Sequence, residues 1–229
     1  MNIIVNGGTR GIGRETVINL AQNINNQIIV TGRNKQFLSE LSAAYKNVIT
    51  YPLDISTIET EGRKFNEFVA LHLKTVDTLL NFAGLLVAKD FMEISNDEAR
   101  MTMETNFFGP ASLIRFLKPL MHSGSHIVNI SSMGGFQGSV KFKGLSYYSA
   151  SKAAIACLTE CLATEFADSG ISVNCLALGA VQTEMLNVAF PGYKAPVDSL
   201  QMAEYITDFA LRGHKVFNGK ILPVAMSTP

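Results

Sequence analysis

Residues 2–13 read NIIVNGGTRGIG, an apolar strand-length run that passes directly into a glycine-rich turn and then into a segment of helical period. Gly7, Gly11 and Gly13 are spaced GxxxGxG. Glycines so placed let the backbone turn tightly, bring amides close to a phosphate-bearing ligand, and aim a helix N-terminus at its negative charge. The glycine spacing of Gly8 and Gly13 also resembles a nucleotide-triphosphatase loop. That loop needs a Lys followed by Ser or Thr to hold phosphate and Mg²⁺, and Arg14 and Glu15 stand there instead.

Outward from this turn the pattern repeats. Strand-length apolar runs at 2–6, 27–31, 48–53, 76–81, 126–131, 172–177 and 220–224 alternate with helical periods at 11–23, 35–45, 58–73, 97–121, 147–168 and 199–211. Such alternation predicts an α/β fold: a doubly wound, seven-stranded parallel sheet with helices on both faces, three layers in all. Pro110 should divide the fourth helical stretch, leaving Asn106 at or near a kink, because proline has no amide to donate and crowds the preceding turn. No Gly/Ser linker or charge block interrupts the chain, so residues 1–229 are expected to form one domain, with a short irregular substrate loop near 180–198.

Composition narrows the function. Lys plus Arg and Asp plus Glu each number 19, so no overall field favours a nucleic acid or an anionic membrane. No stretch of 18 apolar residues occurs and the start resembles no signal peptide, from which a cytoplasmic location is expected. Cys157, Cys161 and Cys175 form no CxxC pair. Reduced thiols and no metal are expected, with Cys157 and Cys161 read as small core residues.

Residues 148–152 read YSASK. Tyr148 and Lys152 are four apart on a helical segment, so they share a face and can act on one small volume. A phenol is a poor acid or base at neutral pH, and a neighbouring ammonium should lower its pKa. Tyr147 is the rival, but Ser151 stands four residues beyond it and brings no charge.

Taken in order, NGGTRGIG, Asp54, NFAG at 81–84, Asn106, Ser132, YSASK and Thr183 make the chain similar to the short-chain dehydrogenase/reductase family, and its 3-oxoacyl carrier-protein reductase branch in particular. The resemblance implies a Rossmann-type fold. It also implies carbonyl reduction to a secondary alcohol, with Asn106, Ser132, Tyr148 and Lys152 as the catalytic set. In that set Tyr148 gives its proton to the carbonyl oxygen, Lys152 holds the nicotinamide ribose, Ser132 orients the substrate oxygen, and Asn106 helps hold a water behind the lysine. Ser131 is the alternative serine. The cofactor site would comprise Gly7, Thr9, Arg10, Gly11, Ile12, Gly13, Arg33, Asp54, Ile55, Asn81, Ala83, Gly84, Val181 and Thr183, together with Tyr148 and Lys152.

An acidic residue after the second strand would repel an adenosine 2′-phosphate, whereas the strand here ends in TGRN with no Asp or Glu beside Arg33. Arg33 and Arg10 therefore imply NADP(H) in preference to NAD(H). Other readings are a sugar or steroid alcohol dehydrogenase and a non-catalytic NADP(H)-binding regulator. Self-association as a homodimer or homotetramer through the segments at 97–121 and 147–168 is implied by the family.

The chain departs from the family pattern at Phe82, at Leu178–Gly179, in its fifteen residues between Ser132 and Tyr148, and in its tail LPVAMSTP. The segment after Thr183 is short, which implies an open substrate pocket that Phe136, Phe142, Met185, Leu186 and Phe190 could line.

Overall fold

The structure is a computed structural model that describes residues 1–226, so the last three residues of the LPVAMSTP tail lie outside it. Strands β1 (Asn2–Asn6), β2 (Gln27–Gly32), β3 (Val48–Pro52), β4 (Val76–Asn81), β5 (Met121–Ser132), β6 (Ser172–Leu178) and β9 (Ile221–Val224) form a seven-stranded sheet in the order β3-β2-β1-β4-β5-β6-β9. Every pairing is parallel. Between them run helices α1 (Gly11–Ala21), α2 (Lys35–Ala44), α3 (Ile58–Leu73), α4 (Asn96–Met103), α5 (Gly109–Leu117), α6 (Ser146–Glu165), α7 (Glu184–Ala189) and α8 (Ser199–Arg212). Two-residue strands β7 (Val181–Gln182) and β8 (Val197–Asp198) pair with each other beside the main sheet.

The continuous apolar runs of the strands follow from burial on both faces. Ile3, Val5, Ile28 and Val30 point to one side, where Val17 and Leu20 of α1 and Ile206 and Phe209 of α8 cover them. Ile4, Ile29, Leu79 and Ile127 point to the other, against Phe65 and Val69 of α3 and Leu113 and Leu117 of α5. The chain begins mid-sheet at β1, winds outward to β3, and returns to lay β4 on β1's free side. The loops after β1 and β4 therefore leave in opposite directions, opening a crevice at the strands' carboxyl ends.

The fourth helical stretch is not one kinked helix. It is α4, a π-helical turn over Glu104–Phe108, and α5. Pro110 cannot donate to the Asn106 carbonyl, and the ladder slips there to the wider spacing, with the Gly109 amide donating to the Glu104 carbonyl. Asn106 lies inside that turn. Helix α5 ends at Leu117, and β5 begins at Met121, five residues earlier than its apolar core at 126–131 indicates. The polar residues 122–125 occupy a register shift between β4 and β5, held where the Ser125 hydroxyl donates to the Val76 carbonyl at 2.7 Å. Cys157 and Cys161, expected in the core, are exposed. The buried face of α6 is instead the row that includes Ser151, Lys152, Ile155, Ala156, Thr159 and Ala163. Among the described residues no helix is long and apolar enough to cross a membrane.

His126 of β5 is fully buried under α8. Its Nδ1 meets the Ala210 carbonyl at 3.0 Å and its Nε2 meets Asn174 Nδ2 at 3.0 Å, so the ring is neutral with the proton on Nδ1. Burial pushes its pKa down to about 4. Between that value and the ordinary value near 6.5 the unfolded chain binds more protons than the folded one, so the ring's contribution to stability is present above pH 6.5 and is lost as pH falls. Taking the protein from pH 7 to 5 should remove roughly 2 kcal/mol through this residue. Urea unfolding at both pH values checks this, and a His126→Gln variant that keeps the same pH slope would refute it.

Candidate active site

The glycine turn is the first wall of the site. Gly7 has φ of +88°, and a Cβ on it would lie 2.4 Å from the Ala83 amide nitrogen. A Cβ on Gly13 would lie 2.4 Å from the Gly7 carbonyl oxygen. No side chain fits at either place, and that is what lets α1 begin under the crevice. The Gly7 and Gly8 amides are taken by the Thr31 carbonyl at 3.0 and 3.1 Å. The first turn of α1 has no side-chain cap from Arg10, so its leading amides face the crevice unpaired. This is the arrangement that binds a pyrophosphate.

All the residues expected from sequence at the catalytic and cofactor sites, except Asn81 and Asn106, line one cleft of about 560 Å³. Ser132 ends β5, Tyr148 and Lys152 come from the first turns of α6, and Arg10 and Arg33 come from the turns after β1 and β2. Ser131 also borders the cleft, but its hydroxyl donates to the Lys152 carbonyl at 2.7 Å, which leaves Ser132 as the serine beside the phenol. Tyr147 stacks on Phe91 at 5.9 Å, outside the cleft.

The expectation that Lys152 lowers the Tyr148 pKa is corrected by the geometry. The Lys152 ammonium donates to the Ile130 carbonyl at 2.9 Å and lies 6.0 Å from the centre of the phenol ring. Burial raises the phenol's pKa, and a hydrogen bond with Ser132 pulls it partly back. Lys152 is 5 % exposed, and burial pushes its own pKa down to about 8, with the Cys175 thiol nearby acting in the opposite sense. Spacing alone showed two neighbours and omitted the desolvation that acts on both.

Asn81 and Asn106 stand behind the cleft wall. Thr31 Oγ1 donates to Asn6 Oδ1 at 3.1 Å, and Asn6 Nδ2 to Asn81 Oδ1 at 3.3 Å. Asn81 Nδ2 then donates to Asn129 Oδ1 at 2.9 Å, and Asn129 Nδ2 to Thr159 Oγ1 at 3.0 Å. This ladder crosses β2, β1, β4 and β5 to reach α6, and it engages the Asn81 side chain that was expected in the cofactor site. Asn106 is 1 % exposed. Its Oδ1 accepts from the Leu85 amide at 2.7 Å, and its Nδ2 donates to the Leu85 carbonyl and to Ser151 Oγ, both at 2.9 Å. Its side chain thus ties the loop after β4 to α6.

Two further differences concern side chains that meet only in space. Asp54 Oδ1 accepts from the Ser56 amide and hydroxyl at 3.0 and 2.8 Å, while its Oδ2 lies 3.6 Å from Arg33. The acidic neighbour absent beside Arg33 in sequence is therefore supplied by the loop after β3. In the substrate region Phe142, Met185, Leu186 and Phe190 line the cleft and Phe136 does not, while Leu86, Met133, Leu145 and Tyr193 join them. The irregular segment contains α7, capped by Thr183 Oγ1, which accepts from the Leu186 amide at 3.2 Å.

A parallel sheet with a glycine turn at its switch point and unpaired helix amides above it defines a dinucleotide-binding α/β protein. The chain belongs to the short-chain dehydrogenase family, whose model matches residues 1–194. An uncharacterized oxidoreductase of Staphylococcus aureus (strain MW2) is 26% identical over 89% of this chain and 87% of its own length. Dehydrogenase/reductase SDR family member 7B of Xenopus tropicalis is 31% identical over 80% of this chain, which spans 62% of that protein's length. An NADP-dependent 3-hydroxy acid dehydrogenase of Schizosaccharomyces pombe is 28% identical over 86% of this chain and 78% of its own length. Among solved structures, a dehydrogenase/reductase from Sinorhizobium meliloti 1021 superposes with a TM-score of 0.83 at 26% identity, covering 97% of this chain and 92% of that one.

The ladder beneath the cleft is testable. Asn81→Ala would leave Asn6 Nδ2 and Asn129 Oδ1 buried without a partner, a loss of roughly 3 kcal/mol of folding stability. A change of under about 1 kcal/mol in urea unfolding would show that the ladder bears little weight.

Proposed function

We propose that the protein is an NADPH-dependent carbonyl reductase, converting a ketone to a secondary alcohol. The observation that carries this reading is the convergence of Tyr148, Ser132 and Lys152 on the same cleft that Arg10 and Arg33 border. When bound, NADPH supplies the hydride that the carbonyl carbon accepts. The Tyr148 hydroxyl gives its proton to the carbonyl oxygen, so that one hydride and one proton complete the alcohol. A phenol whose pKa burial has raised holds that proton at neutral pH, which suits the reducing direction. Ser132 Oγ accepts from the Gly134 amide at 3.1 Å and faces the phenol, a position from which its own proton can stabilise charge developing on the substrate oxygen. Lys152, held by the Ile130 carbonyl beneath Gly84, keeps donors for ribose hydroxyls.

Two observations support NADPH over NADH. Arg10 is exposed at the turn, and among the described residues no carboxylate lies within 4 Å of it. Arg33 meets Asp54 through one nitrogen only, at 3.6 Å, leaving the rest of its donor fork for a 2′-phosphate. The fission-yeast relative's dependence on NADP agrees with this.

Tyr148→Phe should lower kcat by roughly 10²–10⁴-fold with the NADPH dissociation constant little changed. Arg33→Asp should raise the NADPH dissociation constant far more than that of NADH. Stopped-flow turnover and fluorescence titration measure these. An active phenylalanine variant would remove the proton donor from the scheme, and equal losses for the two cofactors would remove the preference.

A further inference from the structure

The two ends of the cleft differ in charge. Arg10 and Arg33 stand at the end formed by the turns after β1 and β2, and Lys152 lies at the floor with its ammonium on the Ile130 carbonyl. Beyond Tyr148 the walls are Leu86, Met133, Phe142, Leu145, Leu186 and Phe190. The formal charge that borders this end is the exposed carboxylate of Glu184. Three lysines lie close in sequence to these walls, and none of them lines the cleft: Lys194, exposed beside Tyr193, and Lys141 and Lys143 on either side of Phe142. Lys141 donates to the Phe136 carbonyl at 2.6 Å and to the Ser139 hydroxyl at 2.9 Å, and Lys143 pairs with Asp90 at 3.3 Å.

Phe142 belongs to the long segment between β5 and α6, and Phe190 to the end of α7. Their rings meet edge to face, 6.0 Å apart at 68°. Two otherwise separate segments are joined in this way across the substrate end, and the joint presents aromatic surface to whatever lies against Tyr148 and Ser132. A flat apolar group gains contact with both rings. A carboxylate held against these apolar walls loses its water, and among the described residues that form them none is a cation.

We propose that the substrate is a neutral ketone carrying an apolar, aryl-sized group, that Phe142 and Phe190 are the specificity-determining pair, and that a keto acid of the same skeleton is discriminated against. This rests on the carbonyl-reductase reading above.

The test compares ethyl benzoylacetate with freshly prepared benzoylacetate, which share the ketone and the aryl ring and differ in carrying an ethyl ester or a carboxylate. Rates of NADPH oxidation are measured with the unmodified protein and with Phe190→Ala, and NADPH binding is titrated in parallel. The ester should show kcat/KM at least roughly tenfold above the acid. Phe190→Ala should raise KM for the ester severalfold while NADPH affinity stays within about twofold. Equal rates for the two compounds, or preference for the acid, overturn the assignment without recourse to the variant. Reduction of some other ketone but not of this ester overturns the assignment and leaves the reductase reading standing. A protein that binds no NADPH, or binds it and reduces no carbonyl, overturns both.

Discussion

The missing Cβ of Gly7 is the constraint on which the rest of the molecule depends. At this residue the chain leaves β1 in a left-handed conformation and passes so close to Ala83 that any side chain would collide with backbone. Backbone cannot retreat as a flexible side chain can, so a larger residue would have to part the turn from the end of β4. The start of α1 is set by that contact, since Gly13 leans on the Gly7 carbonyl in the same way. Two close approaches of backbone on backbone thus fix where the unpaired amides of α1 point and how wide the crevice opens.

Beneath the crevice, polar side chains take over from the apolar core. The asparagine ladder lies at the carboxyl ends of β2, β1 and β4 and within β5, with Asn6 in register with both Thr31 and Asn81, and Asn81 with Asn129. Each buried amide is satisfied by its neighbour across the sheet, so the ladder avoids the cost of orphaned groups while resisting any slip of one strand against the next. It ends on Thr159 of α6, two turns beyond Lys152. The helix that carries Tyr148 and Lys152 is thereby registered to the sheet that carries the glycine turn. Asn106 adds a second tie, from the loop after β4 to Ser151, whose hydroxyl donates to the Tyr148 carbonyl at 2.7 Å.

Most of the architecture was legible because its causes are local. Strands buried on both faces must be continuously apolar, and a turn that approaches another backbone must be glycine. Both facts are written in residues 2–13. What escaped had causes distant in the chain. The π-turn at Asn106 answers to Pro110, yet proline alone announces a break and not its width. The polar residues 122–125 extend β5 only because Ser125 finds Val76 on another strand. Helix α7 is six residues long, too short for its period to stand out between Gly179 and Pro191. The Arg33–Asp54 contact, the role of Asn81 and the outward facing of Cys157 and Cys161 likewise belong to packing and not to spacing.

The electrostatics of Tyr148 and Lys152 show the same division between what spacing reveals and what burial decides. Four residues on a helix place phenol and ammonium side by side, and Coulomb attraction between their charged forms would draw the phenol's pKa down. Burial acts on each group in the opposite sense, and it acts whether or not a partner is present. Here one donor of the ammonium is taken by the Ile130 carbonyl, and the ammonium lies 6.0 Å from the centre of the phenol ring. Burial therefore wins: the phenol moves up and the ammonium moves down to about 8. The Ser132 hydroxyl acts on the phenol in the opposite sense, drawing its pKa partly back down.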